Sequence, residues 1–304
     1  MATCLIALGS NLGDRAATLQ AAIREIGSLP ETRLARHSRW YAYPALGGLS
    51  GQPDFLNAAA VVDTALAPFT FFEHLLQIET QHGRRRTGRW AARTLDIDLL
   101  LYEDQVLDTP SLVVPHPRMS YRRFVLQPAA EIATDMVHPM IGWSIGELQR
   151  HLDRARDWAA IVSPSHAARR DLCELATTRF GAKMLDREIS HSREIEDLWP
   201  ASITTWLALP ASRHQIEGCA SISPTVLRQQ PAAGLPKLTV LVDAPKSQES
   251  VDDTINWSKL QRQPGRGPTL WIRTTDRTEV ARELSAAIES VWTHLGRPDE
   301  TRVE

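Results

Sequence analysis

From Leu95 to Leu101 the chain places Leu95, Ile97, Leu99 and Leu101 on one face of an extended segment, and Asp96 and Asp98 on the other. A period of two over this length reads as a strand. Side chains two residues apart on such a face stand roughly 7 Å from one another. Two carboxylates so placed repel unless a cation lies between or beside them. Hard divalent ions such as magnesium take oxygen ligands and keep positions open for water and phosphate, so the pair suits one or two magnesium ions. Directly upstream, Gly83 opens a stretch holding Arg84, Arg85, Arg86, Arg89 and Arg93, with Trp90 among them. A triphosphate offers each planar guanidinium a bidentate partner, and the indole can stack on a base or ring. Each half alone has an ordinary reading: arginine runs are commonly solvated faces or nucleic-acid patches, and Asp-x-Asp is common on strand edges. Adjacent and in this order, the two favour a nucleotide and metal site.

Two other stretches bear on a site. Cys4 to Leu8 is a short apolar run ending in Gly9-Ser10-Asn11-Leu12-Gly13-Asp14, after which Leu19, Ala22, Ile23, Ile26 and Leu29 recur with helical period. This is a strand, a tight turn with Asp14 near the cap, and an amphipathic helix. It is neither a P-loop, which needs a Gly-Lys-Ser/Thr ending, nor a dinucleotide fingerprint. Further on, Tyr41 to Gly47 leads through a Gly- and Ser-rich connection, Leu46 to Gly51, that reads as a mobile loop. Phe55 and Asn57 then share one face at the start of a strand continuing to Val62. A ring and a side-chain amide on one face can hold a flat heterocycle, although alone Phe55 reads as core and Asn57 as a turn residue. Leu66 to Gln81 reads as a helix with Phe69, Phe72, Leu75, Leu76 and Glu79 along it, the Glu being an ordinary exposed residue on that pattern. His116, between two prolines, has a rigid backbone.

The 304 residues exceed one typical domain, and 43% hydrophobic content supplies two cores. Net charge is only -2, so the arginines are a local concentration, which argues against a dedicated nucleic-acid binder. Cys4, Cys173 and Cys219 show no metal spacing and suit a reducing cytoplasm. No signal peptide or membrane-length apolar run is evident.

Taken together, Gly83-Arg84-x-Arg86-x-x-Arg89-Trp90, Arg93-Thr94-Leu95-Asp96-Ile97-Asp98, Val114-Pro115-His116-Pro117-Arg118 and Arg122-x-Phe124 resemble, in order and spacing, the hydroxymethyldihydropterin pyrophosphokinases of the folate pathway. The resemblance covers about the first half of the chain. It implies an α+β fold, a ferredoxin-like α/β sandwich with a mainly antiparallel sheet. It also implies Mg-dependent transfer of pyrophosphate from ATP, the co-substrate, to 6-hydroxymethyl-7,8-dihydropterin, releasing AMP, with two magnesium ions as the expected number.

By the resemblance, Asp96 and Asp98 hold the metal, and Arg84, Arg93, Asp96 and Asp98 are the catalytic residues. Glu79, Arg84, Arg86, Arg89, Trp90, Arg93, His116 and Arg122 bind ATP, and Gly9, Tyr43, Ala45, Leu46, Phe55, Asn57, Trp90 and Phe124 border the pterin. Phe124 is the ring opposite Phe55, and Arg85 faces solvent. The sequence departs from the family at Ala92, where proline is usual, and at Arg123, where a small residue is frequent; Arg118 adds positive charge.

The family's length is used up near Trp158, after the turn Gly142-Trp143-Ser144 and a helix around Leu148 to Leu152. The reading is therefore a catalytic domain over 1–160, a linker over 161–168 and a second α/β domain over 169–304. For the latter the pattern predicts a helix from Arg169 to Ile189, strands at Ile203 to Leu209 and Leu238 to Val242, a helix near Val251 to Leu260, a strand at Leu270 to Thr274 and a helix from Glu279 to His294. Its later part, Pro236 to Asp243 and the strand after Pro268, faintly resembles P-loop nucleoside or nucleotide kinases, without a Walker A sequence. That makes it a degenerate or structural domain, with dimerisation or another protein contact as its expected role. The alternatives to a pyrophosphokinase are an ATP-binding module without turnover, and an interaction or regulatory protein whose function lies in the C-terminal domain.

Overall fold

The computed structural model describes residues 1–46, 52–83, 93–155, 157–185, 204–209, 235–242, 265, 267–274, 276–292 and 297–298. These fall into two compact units. The first comprises the described residues of Met1–Pro139, Trp143–Gln149 and the pair Arg297–Pro298; the second comprises Met140–Gly142 and the described residues of Arg150–Trp292.

The first unit is built on an antiparallel sheet whose central strand, β1 (Ala2–Ser10), lies between β4 (Phe55–Thr64) and β5 (Asp96–Tyr102). Along the other edge of β4 run β2 (Thr32–His37) and β3 (Tyr41–Tyr43), and β13 (Arg297–Pro298) adds to β3. One face of this sheet is the core. Cys4, Ile6 and Leu8 of β1, with Leu56, Ala60 and Val62 of β4 and Ile97 and Leu99 of β5, pack against α1 (Arg15–Gly27) and α2 (Pro68–Gln81). Each fully buried Ile, Leu or Val among these contributes about 1.5–3 kcal/mol from desolvation alone. The start of α1 is set locally: Gly13 has φ 66°, and the Asp14 carboxylate accepts from the Ala17 N–H at 3.0 Å.

Two details differ from the expected patterns. In α2 the buried stripe is Phe71, Leu75, Ile78 and Glu79, whereas Phe69 is exposed. With Pro68 opening the helix, spacings of four, three and one residues place those four on the core side, and Phe69 falls beside the solvent face. In β5 the period of two breaks. Leu5 pairs with Leu101 but Ile6 with Leu99, so Leu100 is an extra residue in the strand. The bulge turns Leu101 away from the face it was expected to share with Leu95, and Tyr102 joins the core in its place.

The opposite face of the sheet carries Ala7, Gly9, Phe55, Asn57, Ala59, Asp96 and Asp98. The chain reaches it after the small hairpin β6 (Leu107–Asp108) and β7 (Val113–Val114), a cis Val114–Pro115 peptide and a 3-10 turn at Met119–Tyr121. Helix α3 (Arg123–Ala133) then packs on β4, with smaller contacts to β1 and β3. Tyr41 donates to Glu131 at 2.8 Å, and Tyr43 donates to Gln127. The helix packs mainly over β4, and its Phe124 and Val125 line the site together with residues of β1, β3, β4 and β5.

The chain passes from the first unit to the second within α4 (Ile145–Arg154). In the second unit β8 (Trp158–Val162) is the middle strand of a mixed sheet ordered β12–β11–β8–β10–β9, with β9 at Lys183–Leu185, β10 at Thr204–Ala208, β11 at Leu238–Val242 and β12 at Thr269–Ile272. β8, β11 and β12 are parallel and β10 is antiparallel to both its neighbours. The unbroken apolar run of β8 and the mostly apolar run of β11, every residue of both buried, suit central strands buried on both faces. Helices α5 (His166–Phe180) and α6 (Arg277–Trp292) complete the layers.

The expected linker over 161–168 is corrected: Ile161 and Val162 are the end of the buried strand β8, and His166 begins α5. A hydrophobic pair followed by Ser-Pro-Ser resembles a linker in sequence, but here it is a strand, a turn and a Ser165 cap that accepts from the Ala168 N–H at 3.2 Å. The expected helix to Ile189 also ends early, at Phe180, because Gly181 adopts the left-handed conformation with φ 65° and its N–H satisfies a terminal carbonyl. The expected helix near Val251 to Leu260, and Asp243, lie outside the described residues.

Candidate active site

Strand register assembles the site. Gly9 on β1 pairs with Asn57 on β4 and with Asp96 on β5, so these three stand in one row across the sheet. Two residues along, Ala7 pairs with Ala59 and Asp98 to make the next row. The central strand thus supplies only small side chains, a floor over which larger neighbours lean. A Cβ added to Gly9 would stand 3.1 Å from the Asn57 Oδ1 and 3.6 Å from a ring carbon of Phe55. The constraint on this position is close approach, not backbone conformation.

Above this floor is a recess of about 120 Å³. Phe55 and Phe124 both line it, as do Tyr43 and Leu46. Tyr43 meets Phe124 edge-on, with ring centroids 6.3 Å apart, and its hydroxyl is held by Gln127. The aromatic ring of Phe124 is therefore braced from behind. Asn57 is 7% exposed and its Nδ2 has no hydrogen-bond partner among the described residues. A buried donor left so costs about 1–3 kcal/mol, a cost that a ligand acceptor in the recess would relieve.

The other end of the recess is charged, lined by Arg93, Asp96, Asp98 and Arg122. Arg93 Nη1 donates to Asp96 Oδ2 at 2.5 Å, both side chains being partly exposed. A pair so placed is worth about 0–1 kcal/mol, so it orients the carboxylate more than it stabilises the fold. The Arg122 guanidinium lies 5.4 Å from the Phe124 ring centroid, joining the charged and aromatic ends. Burial, ahead of its neighbours' charges, lowers the Arg122 pKa from its ordinary value, yet the group remains a cation at working pH.

His116 adjoins this edge. Burial, followed by repulsion from Arg122 and Arg118, pushes its pKa down to about 3, so the imidazole is neutral near pH 7. Its Nδ1 accepts from the Arg118 N–H at 3.2 Å, which places the proton on Nε2, the atom 3.8 Å from Asp98 Oδ2. That separation is longer than a hydrogen bond.

Among the described residues no cluster of three or more His, Cys, Asp or Glu side chains could hold a metal. Asp96 and Asp98 alone fit an ion that takes one or two carboxylates and completes its shell with phosphate and water oxygens, as magnesium does. They do not fit one needing an all-protein cage.

The expected site residues are thus largely brought together: Gly9, Tyr43, Leu46, Phe55, Asn57, Arg93, Asp96, Asp98, Arg122 and Phe124 line one recess. Ala45 is not part of the lining. Glu79 is not the exposed helical residue its pattern suggested: it is 1% exposed on the core side of the sheet, and its Oε1 accepts from the Ile97 N–H at 2.6 Å. Arg84, Arg86, Arg89 and Trp90 lie outside the described residues, as do Ala92 and most of the connection from Leu46 to Gly51. Arg123 is buried in the first turn of α3. Ala7 and Val125 line the recess without having been singled out. The signal for Ala7 was present, since it shares the face of Gly9 two residues away.

An α+β unit with an aromatic and amide slot opening onto paired carboxylates and arginines has a site of the kind that takes a small molecule. Comparison with known proteins specifies which. The family model for 7,8-dihydro-6-hydroxymethylpterin-pyrophosphokinase (HPPK) matches residues 5–134. The chain is 40% identical over 154 residues to the 2-amino-4-hydroxy-6-hydroxymethyldihydropteridine pyrophosphokinase of Synechocystis sp., covering 51% of this chain and 78% of that protein. With the enzymes of the same name from Haemophilus influenzae and Pseudomonas aeruginosa the identities are 42% and 46%, covering 46% and 44% of this chain and 86% and 82% of those proteins. The chain belongs to the HPPK family. A crystal structure of HPPK-DHPS in complex with substrates aligns at 12% identity with a TM-score of 0.38, covering 49% of this chain and 43% of that one, a likeness too slight to bear on fold or function.

Proposed function

We propose that this chain transfers the pyrophosphoryl group of ATP to the hydroxymethyl oxygen of 6-hydroxymethyl-7,8-dihydropterin, giving the pterin diphosphate and AMP with magnesium required. Beyond family membership, the observation that carries this reading is the single recess in which the unpartnered Asn57 amide and two phenylalanine rings adjoin Asp96 and Asp98. The strand order β5–β1–β4, with β2 and β3 both on the far edge of β4, supports the ferredoxin-like reading of the first unit.

In this reading the flat pterin lies between Phe55 and Phe124, and Asn57 bonds its polar edge. The hydroxymethyl group then points toward Asp96 and Asp98. Its oxygen forms a bond to the β-phosphorus as the bond from that phosphorus to the α,β-bridging oxygen breaks; AMP leaves with the electron pair, and the hydroxyl proton passes to solvent. Magnesium held by Asp96 and Asp98 would supply charge neutralisation on the phosphates. Arg93 and Arg122 orient the phosphates and stabilise charge on the transferring group, so positioning and electrostatics carry the rate. Neutral His116 and the basic residues Arg84, Arg86 and Arg89 add nucleotide contacts, Trp90 adds a stacking surface, and Glu79 serves through the strand it supports. We place the reaction in the cytoplasm on the cysteine pattern; among the described residues no helix is long and apolar enough to cross a membrane.

The test is to incubate the full chain with magnesium-ATP and the pterin and to separate AMP from ADP. AMP that depends on pterin is the expected product. ADP, or no nucleotide product, overturns the reading.

A further inference from the structure

Asn11 follows the last residue of β1, is 1% exposed, and lines no part of the recess. Its polar atoms nevertheless reach both ends of the site. On the charged side its backbone N–H donates to the Arg93 carbonyl at 3.1 Å, and its Oδ1 accepts from the Arg93 N–H at 2.7 Å. On the aromatic side its Nδ2 donates to Gln52 Oε1 at 3.3 Å and to the Pro53 carbonyl at 3.4 Å. The amide orientation follows from its backbone partners, since an N–H requires the oxygen and a carbonyl requires the nitrogen.

We propose that Asn11 is a positioning residue that ties the approach to the ring slot, Gln52 and Pro53, to the backbone of Arg93, and so holds the ring-binding and carboxylate ends of the site in register. The idea rests on the pyrophosphokinase reading for its kinetic consequence, but not for the physical tie. Asn11 is suited to this because it is itself anchored on both sides. β1 ends immediately before it, and the turn after it is closed by the capped start of α1. Arg93 stands three residues before Asp96 and bonds it, while Pro53 stands two residues before Phe55 and four before Asn57. A shift of either stem would therefore move a group that meets substrate. The half-buried Arg15 adds a second tie on the ring side, donating to the Asp54 carbonyl at 2.7 Å. On the Arg93 side Asn11 holds the backbone in both directions, and its side chain spans the two stems.

The experiment compares Asn11→Ala and Asn11→Asp in the full chain. Asn11→Ala removes both side-chain ties. Asn11→Asp keeps an oxygen for the Arg93 N–H but sets an oxygen against the Pro53 carbonyl. A 1 Å misplacement in an active site can cost about 100-fold in rate, so Asn11→Ala is expected to lower kcat by about 10- to 100-fold and to raise the pterin KM. Asn11→Asp is expected to recover most of the lost kcat while the pterin KM stays raised. Amide hydrogen exchange is read in parallel: Asn11→Ala should speed exchange at Arg93 and over 54–57, and Asn11→Asp over 54–57 only. Kinetics unchanged in both variants, or a lowered Tm without the split between kcat and KM, would reduce Asn11 to a structural residue and overturn the proposal. If the unmodified chain gives no pterin-dependent AMP, the pyrophosphokinase reading fails instead. The exchange data then decide the tie by themselves, protection unchanged at both stems overturning it.

Discussion

The buried carboxylate of Glu79 accepts a 2.6 Å hydrogen bond from the backbone amide of Ile97, which sits between Asp96 and Asp98. A helix residue on the core side of the sheet thus supports the strand whose other face carries both carboxylates. Replacing Glu79 by Ala would leave the Ile97 N–H without this acceptor, at a cost of about 1–3 kcal/mol. Gln keeps an acceptor oxygen. Chemical denaturation should show Glu79→Ala destabilised by that amount and Glu79→Gln less so. Equal stability of the Ala variant and the native chain would mean that the bond does not hold the strand.

Gly9 should be intolerant of even one methyl group. A Cβ there would press on the Asn57 Oδ1 and approach Phe55, and overpacking of this kind costs about 1–3 kcal/mol. Because the pressed groups face the recess, Gly9→Ala should weaken pterin binding, measured by fluorescence titration, by about tenfold or more, the affinity equivalent of that strain. Unchanged affinity would place the pterin elsewhere.

Asp98→Asn preserves shape and removes a charge. The expected result is a loss of about 100-fold or more in kcat, the scale of losing one preorganised electrostatic group, with pterin affinity nearly unchanged. Phe124→Ala should do the reverse: a lost stacking surface costs about 1–3 kcal/mol, read as weaker pterin binding. Both variants failing in the same parameter would refute the division of the recess into ring and phosphate ends.

Acid should destabilise the first unit through His138. Burial pushes its pKa down to about 4 from the ordinary 6.5, so between those values the unfolded chain binds a proton that the folded chain does not. Its contribution is complete above pH 6.5 and is lost as pH falls toward 4. Urea unfolding between pH 7 and pH 5 should lose stability with a slope that His138→Gln reduces by one proton, about 1.4 kcal/mol per pH unit at most. Identical slopes in the two proteins would show that His138 is not buried in its neutral form.

Much of this was readable along the chain, for reasons particular to each element. The helix after Asp14 carries a local period and a local start signal, and the strands from Phe55 and at Leu238–Val242 are short runs of mostly apolar residues. The misplaced linker had no such protection. Ile161 and Val162 end the apolar run Trp158–Val162, and that this run is a strand paired on both sides rather than the edge of a linker is a nonlocal fact. The stripe of α2 went astray because a helix rich in Phe and Leu offers several apolar faces, and only the sheet beneath it selects one.

The sequence by itself determined the chemical parts: paired carboxylates on one strand face, arginines beside them, and an aromatic and an amide on another strand. These are properties of neighbouring residues, and side-chain chemistry with backbone periodicity is enough to read them. Tertiary structure alone decided their assembly. Pairing of β1 with β4 and β5 set Asn57, Gly9 and Asp96 in one row, the Leu100 bulge ended the shared face, and the core drew Glu79 inward as a strand support. The physical reason is that register and burial are set by contacts between segments far apart in the chain, where a shift of one residue would turn every side chain to the opposite face.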